Sequence, residues 1–548
     1  SELDTHYDPQ AVERGKDAWW ADKGLYSAGN AESRVPIPSG GQRKTYSMIF
    51  PPPNITGKLH IGHALTVSIQ DVVARWRRMQ GRDVLWVPGL DHAGIATQTV
   101  VEKLLQREQG KSRHELGRAA FLDEVWKWHD QYEANISSQL RRLGASLDWD
   151  KEYFTLDTQR SEAVVEAFTQ LGEMGLLYRA SRMINWCPAL QTVISDVEVD
   201  HVEVDGRTKL PLPSNSGDTD GADGVAGPGF VEVGLIDSFA YPVVETDDPT
   251  AAVVGEVVVA TTRLETMLGD EAVAVHPDDP RHAAHIGCFV RHPINGRHLP
   301  IIADADLVDM EFGTGAVKIT PGHDPNDFEC SQRHGLPVHN ILNGDATIAA
   351  GIGCDQYAGM DRFAARAQLR DDLGTRGLYR GSEEHSMTLQ VCSRTGDILE
   401  PLIRPQWFVK VEGMCERSRE NVCGTTNDEK KTAMFPETEV ASWNRWLTDP
   451  PDWCVSRQLW WGHRIPAYRV STESTDAIAN TLRDLGINPD EPISDPCINY
   501  SPDDGLWVVA RDADAALDRL AQWVGGVTEE GKESILKNIK LRQDEDVL

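Results

Sequence analysis

The sequence predicts an α/β protein in which a parallel-sheet domain is interrupted by a second, mixed β domain. Three stretches carry that expectation. Residues 46–89 read strand, glycine-bearing loop, helix, strand, the order of a βαβ unit. Residues 231–320 are short β-rich segments with turns between them. The α/β character then returns around residues 387–411. A chain of 548 residues exceeds what one hydrophobic core organises, so roughly two to four domains are expected.

The first unit starts at Tyr46–Phe50, a short apolar strand that runs into Pro51-Pro52-Pro53. Proline cannot donate to a sheet ladder, so the strand must stop there. Gly57 loosens the turn that follows. His60-Ile61-Gly62-His63 then opens a helix with apolar residues at Leu65, Ile69, Val72, Val73 and Trp76. A second strand, Val84–Val87, ends at Pro88-Gly89. The helix N-terminus therefore faces the carboxyl end of the sheet, where free N–H groups and the helix dipole favour phosphate. His60 and His63 lie three apart and share a helix face, and Gly62 lets a nucleotide lie close to the backbone. Two imidazoles placed there can donate to phosphate oxygens and to the charge that builds up in phosphoryl or adenylyl transfer. An isolated HxxH is more often two exposed histidines. Here the strand, the prolines, Gly57 and the second strand ending in Gly89-Leu90-Asp91-His92 all agree on a site.

The remaining elements follow in order. Residues 1–30, with Ala18-Trp19-Trp20, read as a short helix and turn, and 31–45 as a polar loop. Ser112-Arg113-His114-Glu115 is a capping box, expected to open a long helix with apolar residues at 121, 125, 128, 132, 136, 140 and 143. Trp128 and Tyr132 read as core, not as stacking platforms. A further helix spans about 159–174, and Met183–Trp186 is a strand ahead of Cys187-Pro188. Residues 211–229 (PLPSNSGDTDGADGVAGPG) have no packing capacity and read as a flexible insert. Strands are expected at Val231–Val244, Glu256–Thr262, Ala272–Val275, His298–Ile302 and Ala316–Thr320. Gly526–Lys532 comes close to a phosphate-binding GxxxxGK, but Glu533 stands where Ser or Thr is needed and Glu529-Glu530 fill the interior, so it is rejected.

Composition excludes some classes of function. The formal charge of −31 argues against a general nucleic-acid coat while leaving room for a local RNA groove. Arg75-Trp76-Arg77-Arg78 and Arg141-Arg142 read as wet helix faces. No apolar run approaches the length of a membrane span, and SELDTHYDPQ has no secretory n- or h-region. Nine scattered cysteines without a CxxC pair fit free thiols, with no structural zinc and no metal ligands. The sequon Asn54-Ile55-Thr56 falls in the nucleotide loop and is read as coincidental.

Pro51–His63 together with Gly89–Thr97 resembles the HIGH-motif region of the class I aminoacyl-tRNA synthetases, and among them the valyl-tRNA synthetases. The resemblance runs from about Tyr7 to Leu548. It implies a Rossmann-type parallel-sheet catalytic domain interrupted by an inserted mixed β editing domain: 1–195, then 196–390 with the insert 211–229, then 391–548, truncated before the closing segment. His60 and His63 would be catalytic, and Gly62, Gly89 and His92 would bind ATP. Pro51, Asn54, Asp91 and Trp461 would bind the amino acid, with Asp91 on the ammonium. Pro51 stands where isoleucyl enzymes have glycine, and its ring would fill the space of the extra methylene, worth about 1–3 kcal/mol. Asp452–Pro466 (DWCVSRQLWWGHRIP) resembles the valyl form of a shared segment that carries Trp461.

In the inserted domain, Ala260–Thr266 (ATTRLET) and Gly313–Asp327 (GTGAVKITPGHDPND) resemble the threonine-rich strip and the HDPND loop of synthetase editing domains. Thr261, Thr262, Arg263, Thr266, Lys318, Thr320, Asp324 and Asp327 are the implied editing residues. Leu264 replaces the family's frequent proline. A carboxylate such as Asp324 suits a substrate ammonium, and threonine and lysine donors suit the ester and terminal ribose. Valyl enzymes are themselves the known instance of the need: a hydrophobic pocket separates valine from isosteric threonine by only about 10²-fold.

The resemblance therefore implies a valine–tRNA ligase, with ATP and accompanying Mg²⁺ as cofactors and valine and tRNA(Val) as partners, that hydrolyses mischarged threonyl-tRNA. It implies no membrane and a cytoplasmic setting, with a mitochondrial one as the alternative. Oligomeric state is not legible. The family's lysine-rich second ATP motif and its anticodon-binding helices are expected beyond Leu548, so poor activation and weak editing are expected of this chain. The rival readings are a non-ligating paralogue and an editing-only aminoacyl-tRNA hydrolase.

Overall fold

The structure is a computed structural model that describes residues 6–29, 44–211, 230–423, 432–471, 495–523 and 539–548. Most of the expected insert and the rejected GxxxxGK lie outside the described residues. The chain forms two compact units. One comprises 1–174, 459–490 and 506–548; the other comprises 175–458 and 491–505. By packing, then, the chain leaves the first unit after Met174 and re-enters it at Leu459.

In the first unit, β1 (Thr45–Ile49), α1 (Ile61–Met79) and β2 (Asp83–Val87) form the expected strand–helix–strand, and β1 pairs β2 in parallel from Thr45↔Asp83 to Ile49↔Val87. A second parallel pair joins β3 (Gly89–Leu90) to β4 (Tyr153–Phe154). Between them lie α2 (Gly94–Gln109) and α3 (Arg118–Arg142), and α4 (Thr158–Glu173) follows β4. The core gathers Phe50, Ile55, Val84, Trp86, Phe121, Val125 and Ile136. From the chain's second visit, Ala467–Ser471 pairs antiparallel with both Gly505–Val509 and Lys540–Gln543.

Two expectations change here. The capping box at Ser112 closes only a four-residue helix, Arg113–Leu116. Gly117, at φ 84°, then breaks the chain before α3 begins. A capping box fixes where a helix starts; it says nothing about how far the helix runs. On α1, Leu65, Ile69, Val72 and Trp76 belong to an exposed stripe with Ile61 and Met79, each 49 to 85% accessible. The helix is buried through Val67 and Ala74 instead.

In the second unit, seven strands among the described residues form one mixed sheet. Its order is β7 (Val253–Thr261), β6 (Leu235–Val244), β9 (Phe289–Arg291), β10 (His298–Ala303), β8 (Ala272–Val275) and β11 (Ala316–Ile319), with β12 (Tyr379–Glu384) also pairing β6. The contact between β8 and β10 is parallel and the others are antiparallel. Two helices pack here, α5 (Pro325–His334) and α6 (Arg362–Thr375). A longer antiparallel pair joins β5 (Leu177–Cys187) to β13 (Glu400–Val409), and Val199–Val204 pairs with Met387–Cys392. Strand alternation explains these elements: β6 reads LIDSFAYPVV, with Phe239, Tyr241 and Val243 all in the core.

Burial makes a direct prediction. Trp86→Ala removes a ring with 0% exposure and should cost about 3–5 kcal/mol. Ile69→Ser on the exposed stripe should change stability by no more than about 0.5 kcal/mol. Urea unfolding of the two variants checks this pair.

Candidate active sites

His60 is the N-cap of α1, and the two imidazoles accept from two N–H groups of the helix start, those of His60 and Gly62. Nδ1 of His60 accepts from the Gly62 N–H at 3.1 Å, and Nδ1 of His63 accepts from the His60 N–H at 3.3 Å. With Nδ1 accepting in both, each neutral ring carries its proton on Nε2, so each offers one donor. The ring centroids stand 4.0 Å apart. Partial burial, and then the neighbouring His60, push the His63 pKa down, which favours the neutral ring. Gly62 is needed for this pair itself, because a Cβ there would stand 2.9 Å from Cε1 of His60.

A cleft of about 600 Å³ opens at this helix start, lined by Pro51, Asn54, Lys58, His60, Gly62 and His63 among others. Among the described residues, no carboxylate lines it. The other proposed residues of this unit form a cluster joined to the cleft through the backbone: Asn54 bridges Asp91, with the Asp91 N–H on the Pro53 carbonyl at 2.9 Å and the Ile55 N–H on the Asp91 carbonyl at 3.1 Å. Oδ1 of Asp91 accepts from the Ala93 N–H at 3.0 Å and from the Thr155 hydroxyl at 3.1 Å. That turn holds Ala93 in the left-handed region, at φ 55°.

His92 lies against Thr155, with Nδ1 to Oγ1 at 2.6 Å, and faces His463 with ring centroids 5.1 Å apart. Burial pushes its pKa down to about 4; Asp91 opposes that and His463 adds to it. Trp461 is 1% exposed and belongs to the core, its indole N–H on the His92 carbonyl at 2.8 Å and its ring against Trp126. Gly89 is buried too: a Cβ there would stand 2.3 Å from the Tyr153 ring. The structure thus brings Pro51, Asn54, His60, Gly62 and His63 to one cleft. Gly89, Asp91, His92 and Trp461 form the packed group connected to it.

In the second unit, a cleft of about 1080 Å³ is lined by Thr262, Arg263, Asp324, Arg182, Trp453 and Arg457 among others. Of the eight residues proposed for editing, Thr262, Arg263 and Asp324 reach it. Thr266, Lys318, Thr320 and Asp327 form a buried layer. Nζ of Lys318 donates to Thr266 at 2.8 Å, to Thr320 at 2.5 Å and to Asp270 at 3.3 Å. Asp270 also accepts from the hydroxyls of Thr320 and Tyr241. Asp324 caps α5, accepting from the N–H groups of Asn326 and Asp327. Asp327 accepts from the Thr320 N–H at 2.7 Å, and its burial raises its pKa to about 7 against the pull of Lys318. Thr261 accepts from the Arg263 N–H at 3.1 Å and so holds the turn.

Sequence reasoning missed the residues that hold this site in place. Arg263 pairs with Glu400 and donates to the His323 carbonyl at 2.7 Å. Arg362 bonds Glu400 at 2.6 Å and Asp397 at 3.0 Å. Arg366 grips Glu265 through two bonds, at 2.6 and 2.7 Å. Burial alone would raise the Glu265 carboxyl, but the Arg366 guanidinium outweighs that and holds it at about 2. The only sequence signal was the regular arginine spacing in Arg362-x-x-x-Arg366, which an exposed helix face would also show.

Residues 17–486 match the family model described as tRNA synthetases class I (I, L, M and V). The chain belongs to the class I tRNA synthetases. It is similar to "Valine--tRNA ligase, mitochondrial 1" of Arabidopsis thaliana, 46% identical over 548 residues, which are 100% of this chain and 44% of that protein. It is also similar to "Valine--tRNA ligase" of Homo sapiens, 44% identical over 543 residues, 99% of this chain and 39% of that one. A third is "Valine--tRNA ligase, mitochondrial" of Rattus norvegicus, 47% identical over 470 residues, 86% of this chain and 41% of that one. The chain spans less than half the length of these relatives. No described helix is long and apolar enough to cross a membrane.

Two predictions follow from the buried charges. Arg366→Met strips buried Glu265 of both guanidinium hydrogen bonds, leaving Arg263 Nε 3.8 Å away, and should cost about 3 kcal/mol, while adding Glu265→Gln should restore part of that loss in thermal melts. His92 binds its proton at about 4 when folded and near its ordinary 6.5 when unfolded, so the unfolded chain takes up more protons between those values. The stability from keeping His92 neutral is present above about 6.5 and is lost as pH falls towards 4. His92→Gln should flatten that fall in urea midpoints measured across the window.

Proposed function

We propose that the chain provides the valine-activating and editing parts of a valine–tRNA ligase: ATP-dependent formation of valyl-adenylate, transfer to tRNA(Val), and hydrolysis of threonyl-tRNA. One observation carries this reading. Two histidines at the start of α1 have Nδ1 occupied by backbone N–H groups and Nε2 left as a donor, on a cleft lined by Lys58 and, among the described residues, by no carboxylate. Such a cleft suits a polyphosphate. The names of relatives matching most or all of the chain point the same way.

On this reading ATP places its α-phosphate at the N-terminus of α1, where the dipole and the imidazole donors favour the charge of the pentacoordinate phosphorus. Mg²⁺ would accompany the ATP phosphates, whose charge the Lys58 ammonium and the imidazole donors of the cleft would share. Asp91, kept in place by Thr155 and the Ala93 N–H, is the group for the valine ammonium. Pro51 bounds the side-chain pocket, and Trp461 backs it from the core. Carboxylate attack on the α-phosphate forms the mixed anhydride and releases pyrophosphate. In the second unit, Asp324 would take the threonyl ammonium, and Thr262 and Arg263 the ester end of the tRNA, while a water attacks. The Rossmann-type parsing of 1–195 and 391–548 around an editing domain at 196–390 belongs to the same proposal. The compartment stays open between cytoplasm and mitochondrion.

Valine-dependent ATP–pyrophosphate exchange tests the first half. His60→Asn retains a capping side chain while removing the imidazole, so exchange should fall by about 10²-fold or more with the fold intact. Threonyl-tRNA deacylation should be unchanged by the same substitution. Exchange undiminished in His60→Asn would overturn the role given to the pair. Deacylation by a chain that supports no exchange would favour the editing-only reading.

A further inference from the structure

A cluster of three metal-ligating side chains lies outside both clefts. Asp304 follows β10, and Cys330 and His334 stand four apart on α5, so the latter two share one helix face. Their ligand atoms all lie within 4.8 Å of one another. Oδ2 of Asp304 is 3.3 Å from Sγ of Cys330 and 3.0 Å from Nε2 of His334. Arg333 also reaches that oxygen, through Nε at 3.0 Å and a terminal nitrogen at 2.8 Å. Oδ1 is held separately by the N–H groups of Asp306 and Leu307, at 3.1 and 3.0 Å, which fixes the carboxylate in the loop.

We propose that Asp304, Cys330 and His334 form a binding site for a thiophilic divalent cation of the Zn²⁺ class. This departs from the expectation of no structural zinc, which rested on the lack of CxxC pairs. Three arguments support it. First, a carboxylate oxygen has about two lone-pair sites, and four neighbouring atoms crowd this one. Second, tetrahedral zinc with bonds of about 2.0–2.3 Å sets its ligands about 3.3–3.7 Å apart, close to the 3.3 and 3.0 Å that separate Asp304 Oδ2 from Cys330 Sγ and His334 Nε2. Third, the charges balance. Zn²⁺ entering displaces the Arg333 guanidinium from Asp304 and the proton from the Cys330 thiol, so two positive charges leave as two arrive.

Asp304 and Cys330 are buried, while the side chains of His334 and Arg333 are 27% and 37% exposed. Arg333 can therefore swing into water, leaving a fourth coordination position for a solvent molecule. The step is simple in atoms: a Zn–S bond forms at Cys330, the S–H bond breaks, and the proton goes to solvent. The proton that His334 presents to Asp304 from Nε2 moves to Nδ1, which frees the Nε2 lone pair for the metal, and Asp304 donates Oδ2. A cation there would pin the C-terminal end of α5 to the loop after β10. The N-terminal end of that helix carries Asp324 and Asp327, so the clamp would steady both.

Titration of the reduced full chain with Co²⁺ tests the proposal, because thiolate–cobalt charge transfer and tetrahedral ligand-field bands report the ligands directly. One Co²⁺ per chain should bind with both signatures, and Zn²⁺ should displace it. Cys330→Ser should abolish the thiolate band, and His334→Ala should weaken binding roughly tenfold or more. Arg333→Gln should tighten binding, because the competing cation is gone. Cys187→Ser/Cys392→Ser, which removes two other neighbouring thiols, should leave the spectrum unchanged. Far-ultraviolet circular dichroism confirms folding of each variant, and His334→Ala serves if Cys330→Ser does not fold. The proposal is overturned if the wild-type chain shows no stoichiometric thiolate band, if that band survives Cys330→Ser, or if Arg333→Gln weakens binding. None of these readouts depends on ligase or deacylase activity.

Discussion

Arg263 is the residue on which the second unit's cleft depends. Its guanidinium pairs with the buried Glu400 on one side and donates to the His323 carbonyl on the other. The threonine-rich strip and the HDPND turn are 60 residues apart in sequence, and this side chain connects them directly. Arg362 fixes Glu400 from behind and Arg366 does the same for Glu265, so the guanidinium cannot drift without uncovering a buried carboxylate. Buried ion pairs of this kind add little net stability, because desolvation cancels much of the attraction. Losing one partner is costly, so what they enforce is geometry. The positions of Thr262 and Asp324 on the cleft are set by that constraint.

The first unit meets a comparable demand with backbone groups instead of buried charges. A helix start leaves N–H groups without partners, and α1 meets that need with two imidazoles where serine or aspartate is usual. A hydroxyl or carboxylate cap would satisfy the same N–H groups without an outward N–H donor, and a carboxylate would repel an anion as well. Histidine satisfies the helix through Nδ1 while keeping Nε2–H available. The lowered pKa of His63 favours the neutral form of that ring, which limits like-charge repulsion at a ring separation of 4.0 Å.

Local rules made the strand–helix–strand legible. Three prolines stopping β1, the N-cap position of His60 and the Pro88-Gly89 ending each follow from one or two residues acting on their own backbone. Ala272–Val275 was likewise read to the residue, because a continuous apolar run, buried at every position, between polar turns leaves little freedom. What was not legible came from tertiary contacts. The period of α1 showed that Leu65, Ile69, Val72 and Trp76 share a face, but period cannot say whether anything covers that face, and among the described residues they are exposed. Gly89 looked like a nucleotide-approach glycine, whereas the space its missing side chain leaves is filled by the Tyr153 ring from 64 residues away. The carboxylates of Asp270 and Glu400 carried no local signal at all, since pairing with Lys318 and Arg263 exists only once distant strands are side by side.

The same distinction bears on which residues could meet a substrate in the proposed editing cleft. An ammonium has three N–H donors, and all three of Lys318 are engaged by Thr266, Thr320 and Asp270. Asp270 takes a further bond from Tyr241, and Asp327 spends an oxygen on the Thr320 N–H. For Lys318 to bind an ester it would have to release one of these acceptors inside a nearly water-free layer, leaving a buried polar group unmatched. Thr262 and Asp324 face the cleft without such a barrier, and Arg263 lines it with its guanidinium already held by Glu400 and the His323 carbonyl. On the proposed reading the burden of recognition therefore falls on the outer three. The inner lysine–aspartate–threonine layer then acts as the rigid floor that keeps the strand carrying Lys318, and Thr320 just after it, in register with the turn carrying Asp324.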